Sequence, residues 1–149
     1  MLKRLLLVLL LFVGMAHAEE PLPPEQAFRF SARAIDARTI EARWQIVDGY
    51  YMYRDKFKFS LEGGKLGTPK LPAGKVKEDE LFGKVEVYRK EVVVLLPVEG
   101  SGNITLKAVS QGCWDGGICY PPINHEAKLV LSATSATPAA TAAGRSRKS

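Results

Sequence analysis

The chain has 149 residues, 46% of them hydrophobic, with two cysteines and a formal net charge of +5. Five of its 21 basic residues (Lys3, Arg4, Arg145, Arg147 and Lys148) lie near the two ends, leaving 16 against 16 acidic groups between them. That balance argues against the clustered Lys/Arg face a nucleic-acid-binding protein needs, and the length suits one domain with a sizeable core rather than two.

Residues 1–18, "MLKRLLLVLLLFVGMAHA", run from a basic start through an apolar stretch to Ala16-His17-Ala18, the pattern of a cleavable secretory signal. The apolar run from Leu5 to Val13 is shorter than the roughly 20 residues needed to cross a bilayer. Export without stable membrane insertion is the expectation, with a mature chain beginning at about Glu19.

Past the leader, apolar residues recur with period two in short pieces separated by turn residues. "AFRFSARA" (27–34) puts Phe28 and Phe30 on one face, and "TIEARWQI" (39–46) does the same with Ile40, Ala42, Trp44 and Ile46. After Asp48-Gly49 come 50–53 ("YYMY") and 57–61 ("FKFSL"), then a Gly/Pro-rich break, "EGGKLGTPKLPAGK". Segments 85–88, 91–98, 103–110 and 123–131 complete eight predicted strands. No stretch offers a helix of ten or more residues, so sheet must pack on sheet: an all-β, immunoglobulin-like antiparallel sandwich, with a small barrel as the other solution. From Ser132 onward, "SATSATPAATAAGRSRKS" contains no aromatic and little to bury, which predicts a disordered Ala/Thr/Pro tail over 132–149 and a domain over 19–131.

The two cysteines, Cys113 and Cys119, flank the turn-like Asp115-Gly116-Gly117 in "QGCWDGGICYPP". In an oxidising compartment they should form a disulfide. As a staple the bond is poorly placed, because closing so short a loop is worth only about 2 kcal/mol. A zinc site needs three or four ligands, whereas beyond the leader the chain offers these thiols and one imidazole, His125, read as an exposed strand residue. As a redox pair the stretch makes chemical sense. Small residues leave the sulfurs accessible, Pro121-Pro122 stiffen the far side, and one thiol can resolve a mixed disulfide formed by the other. Staple and redox pair both stay open on chemistry alone.

"QGCWDGGICYPP", "DGYYMYRDKFKF" (48–59) and "EDELFGKVEVYRKEV" (78–92) together resemble, in the same order, the N-terminal periplasmic domain of the thiol:disulfide interchange protein DsbD. The resemblance spans most of residues 25–131 and implies an immunoglobulin-like periplasmic domain that works as a protein-disulfide reductase. Such a domain takes electrons from a thioredoxin-like donor and passes them to oxidised periplasmic thioredoxin-fold proteins, namely disulfide isomerases and cytochrome c maturation proteins, with no bound cofactor or metal. By match, Cys119 forms the mixed disulfide and Cys113 resolves it. Asp79, Glu80, Leu81, Phe82 and Gly83 form a cap loop over the pair, with Gly83 as hinge, and Tyr51 and Tyr53 support the sulfurs. A lid opened only by the right partner would protect a dithiol from stray disulfides, and Asp79 and Glu80 would oppose a thiolate beside them.

One departure is that Leu81 stands where the family's cap carries an aromatic, so either Leu81 caps less tightly or Phe82 takes over the contact. Trp114 is read as a partner contact if exposed and as packing if it folds under the loop. In full-length members a transmembrane and a thioredoxin-like domain follow, and the sequence leaves open whether this chain is free-standing or a fragment. The rival readings are a binding or chaperone module with a structural disulfide, and an adaptor in another relay with the same chemistry.

Overall fold

The computed structural model describes residues 19–132. The expected leader, and the expected tail beyond Ser132, lie outside the described residues.

Period-two segments become strands wherever one face can be covered. After a single helical turn, α1 (Pro24–Ala27), come β1 (Phe28–Asp36), β2 (Thr39–Ile46), β3 (Tyr50–Tyr53) and β4 (Lys58–Leu66). They are followed by β5 (Lys75–Asp79), β6 (Gly83–Tyr88), β7 (Glu91–Ser110), β8 (Gly112–Trp114), β9 (Ile118–Cys119) and β10 (Ile123–Leu131). All named pairings are antiparallel. One sheet runs β1-β2-β7-β10 with β4 also on β7, and the other runs β5-β6-β3-β8-β9. The architecture is the expected immunoglobulin-like sandwich.

Three differences from the sequence reading have physical causes. The segments at 91–98 and 103–110 are one strand, because β4 and β10 keep pairing across the join, at Gly64↔Gly100 and Leu131↔Gly102. The edge strand β5 lies where no strand was predicted: with one apolar residue in "KVKED", it carries the charges that protect sheet edges rather than a core-facing alternation. The cysteine segment forms a short hairpin of two strands instead of a loop.

The core between the sheets is built from Phe28, Ile40, Trp44, Met52, Leu96 and Leu106, each with essentially no solvent exposure. Burying each such side chain contributes on the order of 1.5–3 kcal/mol. His125 departs from its exposed reading. It shares the inward face of β10 with Ile123 and Ala127, and its ring stacks on Phe30 at 4.8 Å.

β3 is buried on both faces. Tyr50 and Met52 join the main core, while Tyr51 and Tyr53 form a second small cluster with Val87 and Cys113, flanked by Val85 and Cys119. That inversion across a single strand places two phenols under the cysteines.

Candidate functional site

The cysteine hairpin is held at its base by close packing. A Cβ on Gly112 would stand 2.5 Å from the Phe28 ring and 2.7 Å from the Tyr51 carbonyl, so only glycine lets β8 lie this close to β3. Within the hairpin Cys113 and Cys119 face each other in register. The Tyr120 N–H bonds the Gly112 carbonyl at 3.0 Å, so the backbone hydrogen bond flanks the cysteine pair rather than joining it. Non-hydrogen-bonded positions of an antiparallel ladder bring Cα atoms closest; here they are 4.0 Å apart, and the sulfurs are bonded. Cys113 is fully enclosed, whereas Cys119 is only partly buried.

The turn between the two strands is anchored twice. Gly117 takes φ +101, which a two-glycine turn accommodates. The Asp115 N–H bonds the Gly49 carbonyl at 2.8 Å, and its carboxylate receives both terminal nitrogens of Arg89, each at 2.9 Å. Trp114 folds over Gly116, where a Cβ would stand 2.3 Å from the indole, and it packs against the main core. Of its two readings, packing is the one the structure favours.

Below the disulfide, the Tyr53 hydroxyl lies 3.0 Å from Cys113 Sγ and 3.6 Å from Cys119 Sγ. It donates to Asp79 Oδ2 at 2.7 Å, and the Tyr51 hydroxyl donates to the same oxygen at 2.9 Å. The other oxygen, Oδ1, accepts the backbone N–H groups of Leu81 at 2.8 Å and Phe82 at 3.0 Å, an Asx-type turn that shapes the β5–β6 connection. Burial alone would raise the Asp79 pKa, but hydrogen bonds from Tyr53, Tyr51, Leu81 and Phe82 outweigh it and hold the carboxyl below its ordinary value. The same environment acts on the phenols. Burial, reinforced by the bond to Asp79, pushes Tyr51 up to about 12 and Tyr53 higher still, so both remain protonated donors.

Of the two acids at the head of the cap, Asp79 is buried at 8% exposure and Glu80 points to solvent. Leu81 is 62% exposed and Phe82 41%. Phe82 makes the aromatic contact, edge-on to Tyr53 at 5.0 Å between centroids, with Lys56 Nζ 4.3 Å from its ring centre. Leu81 instead lines an open cleft of about 340 Å³ with Tyr51, Lys77, Asp79, Trp114 and Cys119. Gly83 sits at φ +72 with open space about it. A larger cleft of about 780 Å³, lined by Arg38, Lys65 and Pro97, includes none of these residues.

The structure thus gathers Cys113, Cys119, Tyr51, Tyr53, Asp79 and Phe82 into one cluster and leaves Glu80 and Leu81 at its rim. Sequence reasoning missed Arg89 and Lys56, whose partners Asp115 and Phe82 each lie 26 residues further along the chain. Their charges carry no local signal of that pairing. Among the described residues no group of three or more His, Cys, Asp or Glu side chains is arranged to hold a metal ion, and no helix is long and apolar enough to cross a membrane.

The family described as "Thiol:disulfide interchange protein DsbD, N-terminal" matches residues 18–131. DsbD of Ralstonia nicotianae is 42% identical, over 93% of this chain and 25% of that protein, and DsbD of Klebsiella pneumoniae is 43% identical, over 76% and 19%. The chain thus spans a quarter or less of the length of these curated relatives. Among solved structures, the reduced DsbD N-terminal domain of Neisseria meningitidis matches with a TM-score of 0.69 at 34% identity, covering 78% of this chain and 95% of that one. A chain from the complex between the DsbD N-terminal and PilB N-terminal domains of the same organism matches at 0.64 and 33%, covering 82% and 96%.

Proposed function

The chain belongs to the family of DsbD N-terminal domains, and from that premise we propose that it is a periplasmic dithiol carrier, exported by residues 1–18, with its redox domain over 19–131. A thioredoxin-like donor reduces it, and it reduces oxidised thioredoxin-fold proteins, the classes being disulfide isomerases and cytochrome c maturation proteins. One observation carries the reading. Cys113 is enclosed and Cys119 partly open, within a hairpin that its own backbone and the Arg89–Asp115 pair already close. A staple would add little there, whereas an asymmetric sulfur pair suits ordered exchange.

On reduction, a donor thiolate attacks Cys119 Sγ, and the Cys113–Cys119 bond breaks to release the Cys113 thiolate. A second donor thiolate then attacks its own partner sulfur and frees Cys119. On delivery, the Cys119 thiolate attacks a client disulfide and Cys113 attacks Cys119 Sγ, restoring the intramolecular bond. Each half moves two electrons and two protons. The Cys113 thiolate emerges 3.0 Å from the Tyr53 hydroxyl. Turning that hydroxyl from Asp79 to the sulfur supplies a hydrogen bond, while Tyr51 keeps Asp79 satisfied. Residues 79–83 act as the lid, with Phe82 packed on Tyr53 and Leu81 at the rim of the cleft onto which Cys119 opens.

Redox titration against glutathione with thiol alkylation tests this directly. Reversible reduction with the fold intact is the expected result, and a Cys113→Ala variant should then trap clients through Cys119. A bond that opens only on unfolding would make it a staple and refute the carrier.

A further inference from the structure

We propose that Arg89 is a positioning residue for this exchange, acting through Asp115 on the hairpin that carries the cysteines; the inference rests on the carrier reading above. The fork between Arg89 Nη1 and Nη2 and the two Asp115 oxygens is bidentate, with both contacts at 2.9 Å. The same guanidinium reaches the Tyr50 carbonyl at 3.4 Å and lies 5.1 Å from the centre of the Tyr51 ring. One planar group therefore ties the tip of the cysteine hairpin to β3, the strand that pairs with β8 and carries both site tyrosines. Lysine cannot reproduce a two-pronged contact of this kind. Lys77 faces the same carboxylate through space and sits 5.0 Å from the Tyr51 ring.

The side chains of the pair are 39% and 45% exposed, so the contact adds little to global stability. Its leverage is local. In the oxidised form the S–S bond itself holds β8 against β9. In the dithiol form, the hairpin is held by the β3–β8 ladder, the Tyr120–Gly112 and Gly117–Trp114 backbone bonds, the Asp115–Gly49 bond and the Arg89 fork. Releasing the fork therefore loosens the dithiol more than the disulfide. The two sulfurs then spend less time within attacking distance, which slows ring closure and makes the disulfide less favoured.

Glutathione provides the measurement: protein disulfide plus two glutathione thiols gives protein dithiol plus glutathione disulfide, two electrons and two protons passing to the protein. Arg89→Gln, Asp115→Asn, the double variant and Arg89→Lys are compared with the parent chain, with circular dichroism and urea unfolding recorded in parallel. Each single variant should lower the equilibrium constant for disulfide closure about threefold, a potential about 14 mV less negative at 29.6 mV per tenfold. The double variant should move no further than either single one, and Arg89→Lys should behave like Arg89→Gln. Shifts of opposite sign for Arg89→Gln and Asp115→Asn would assign the effect to local charge on the thiols and overturn the positioning role. So would unchanged potentials accompanied only by easier unfolding. A parent disulfide that resists glutathione until the fold is lost removes the carrier reading and this inference together, whereas a parent that cycles normally beside unshifted variants removes only the inference.

Discussion

Replacing Asp79 with Asn removes the charge at the centre of the site while keeping its volume. The carboxylate accepts four hydrogen bonds, from Tyr51, Tyr53 and the N–H groups of Leu81 and Phe82. A hydrogen bond to a charged acceptor is worth about 1.5–3 kcal/mol and a neutral one about 1. Asn keeps one acceptor oxygen, so two of the four bonds lose charge assistance of roughly 0.5–1 kcal/mol each and the two donors that meet the amide nitrogen lose their acceptor at about 1–3 kcal/mol each, a cost of about 3–8 kcal/mol. Urea unfolding of the oxidised protein at pH 7 should show that loss, and the reduced protein should be alkylated faster because the lid is less well held. The pH dependence carries a second check. Asp79 titrates below its ordinary value of 3.8 in the fold, so its stabilisation is complete above the unfolded value and is lost as pH falls through the lower, folded one. The gap between parent and variant should be constant near neutrality and close as pH drops below about 4. A loss under about 0.5 kcal/mol, or a gap that widens in acid, would refute the reasoning.

Tyr53→Phe deletes the hydroxyl that contacts both sulfurs and Asp79; it should cost about 1–2 kcal/mol in urea unfolding and slow reduction by dithiothreitol, and an unchanged reduction rate would remove Tyr53 from the exchange. Gly112→Ala forces a methyl into the Phe28 ring and the Tyr51 carbonyl, and should cost about 1–3 kcal/mol and part β8 from β3, seen as lost amide protection at Cys113. Burial lowers the pKa of His125 below 6.5, so the unfolded chain binds its proton first. Stability should therefore fall as pH drops from about 6.5, and His125→Phe should flatten that slope.

Strands β2 and β3 were legible because alternation and aromatic content are local properties of the sequence: Ile40, Ala42, Trp44 and Ile46 could face only a core. The two cysteines stood out for the same reason. β5 was not legible, since an edge strand protected by Lys75, Lys77 and Glu78 has the composition of a loop. Asp79 sits in the acidic run "EDE" and reads as solvated; its burial depends on two phenols 26 and 28 residues earlier in the chain, which no local pattern reports. His125 had the opposite problem. Its spacing with Ile123 and Ala127 already placed it on the inward face of β10, but residue type outweighed register in the reading.

The placement of an ionised carboxylate beneath a redox pair looks like a conflict, because its charge disfavours a thiolate nearby. The geometry resolves it. Cys113 is fully enclosed and Cys119 partly open, so in the proposed carrier exchange enters through Cys119 and the Cys113 thiolate is released first. That thiolate appears beside Tyr53 rather than beside Asp79 itself. Tyr53 has one proton to offer and two acceptors, while Asp79 retains Tyr51 and two backbone donors when that proton turns away. The carboxylate can thus hold the lid closed over the oxidised pair and still give up one hydrogen bond at the moment of reduction. In the proposed carrier, the opening of the disulfide and the loosening of the lid are in this way linked through a single hydroxyl.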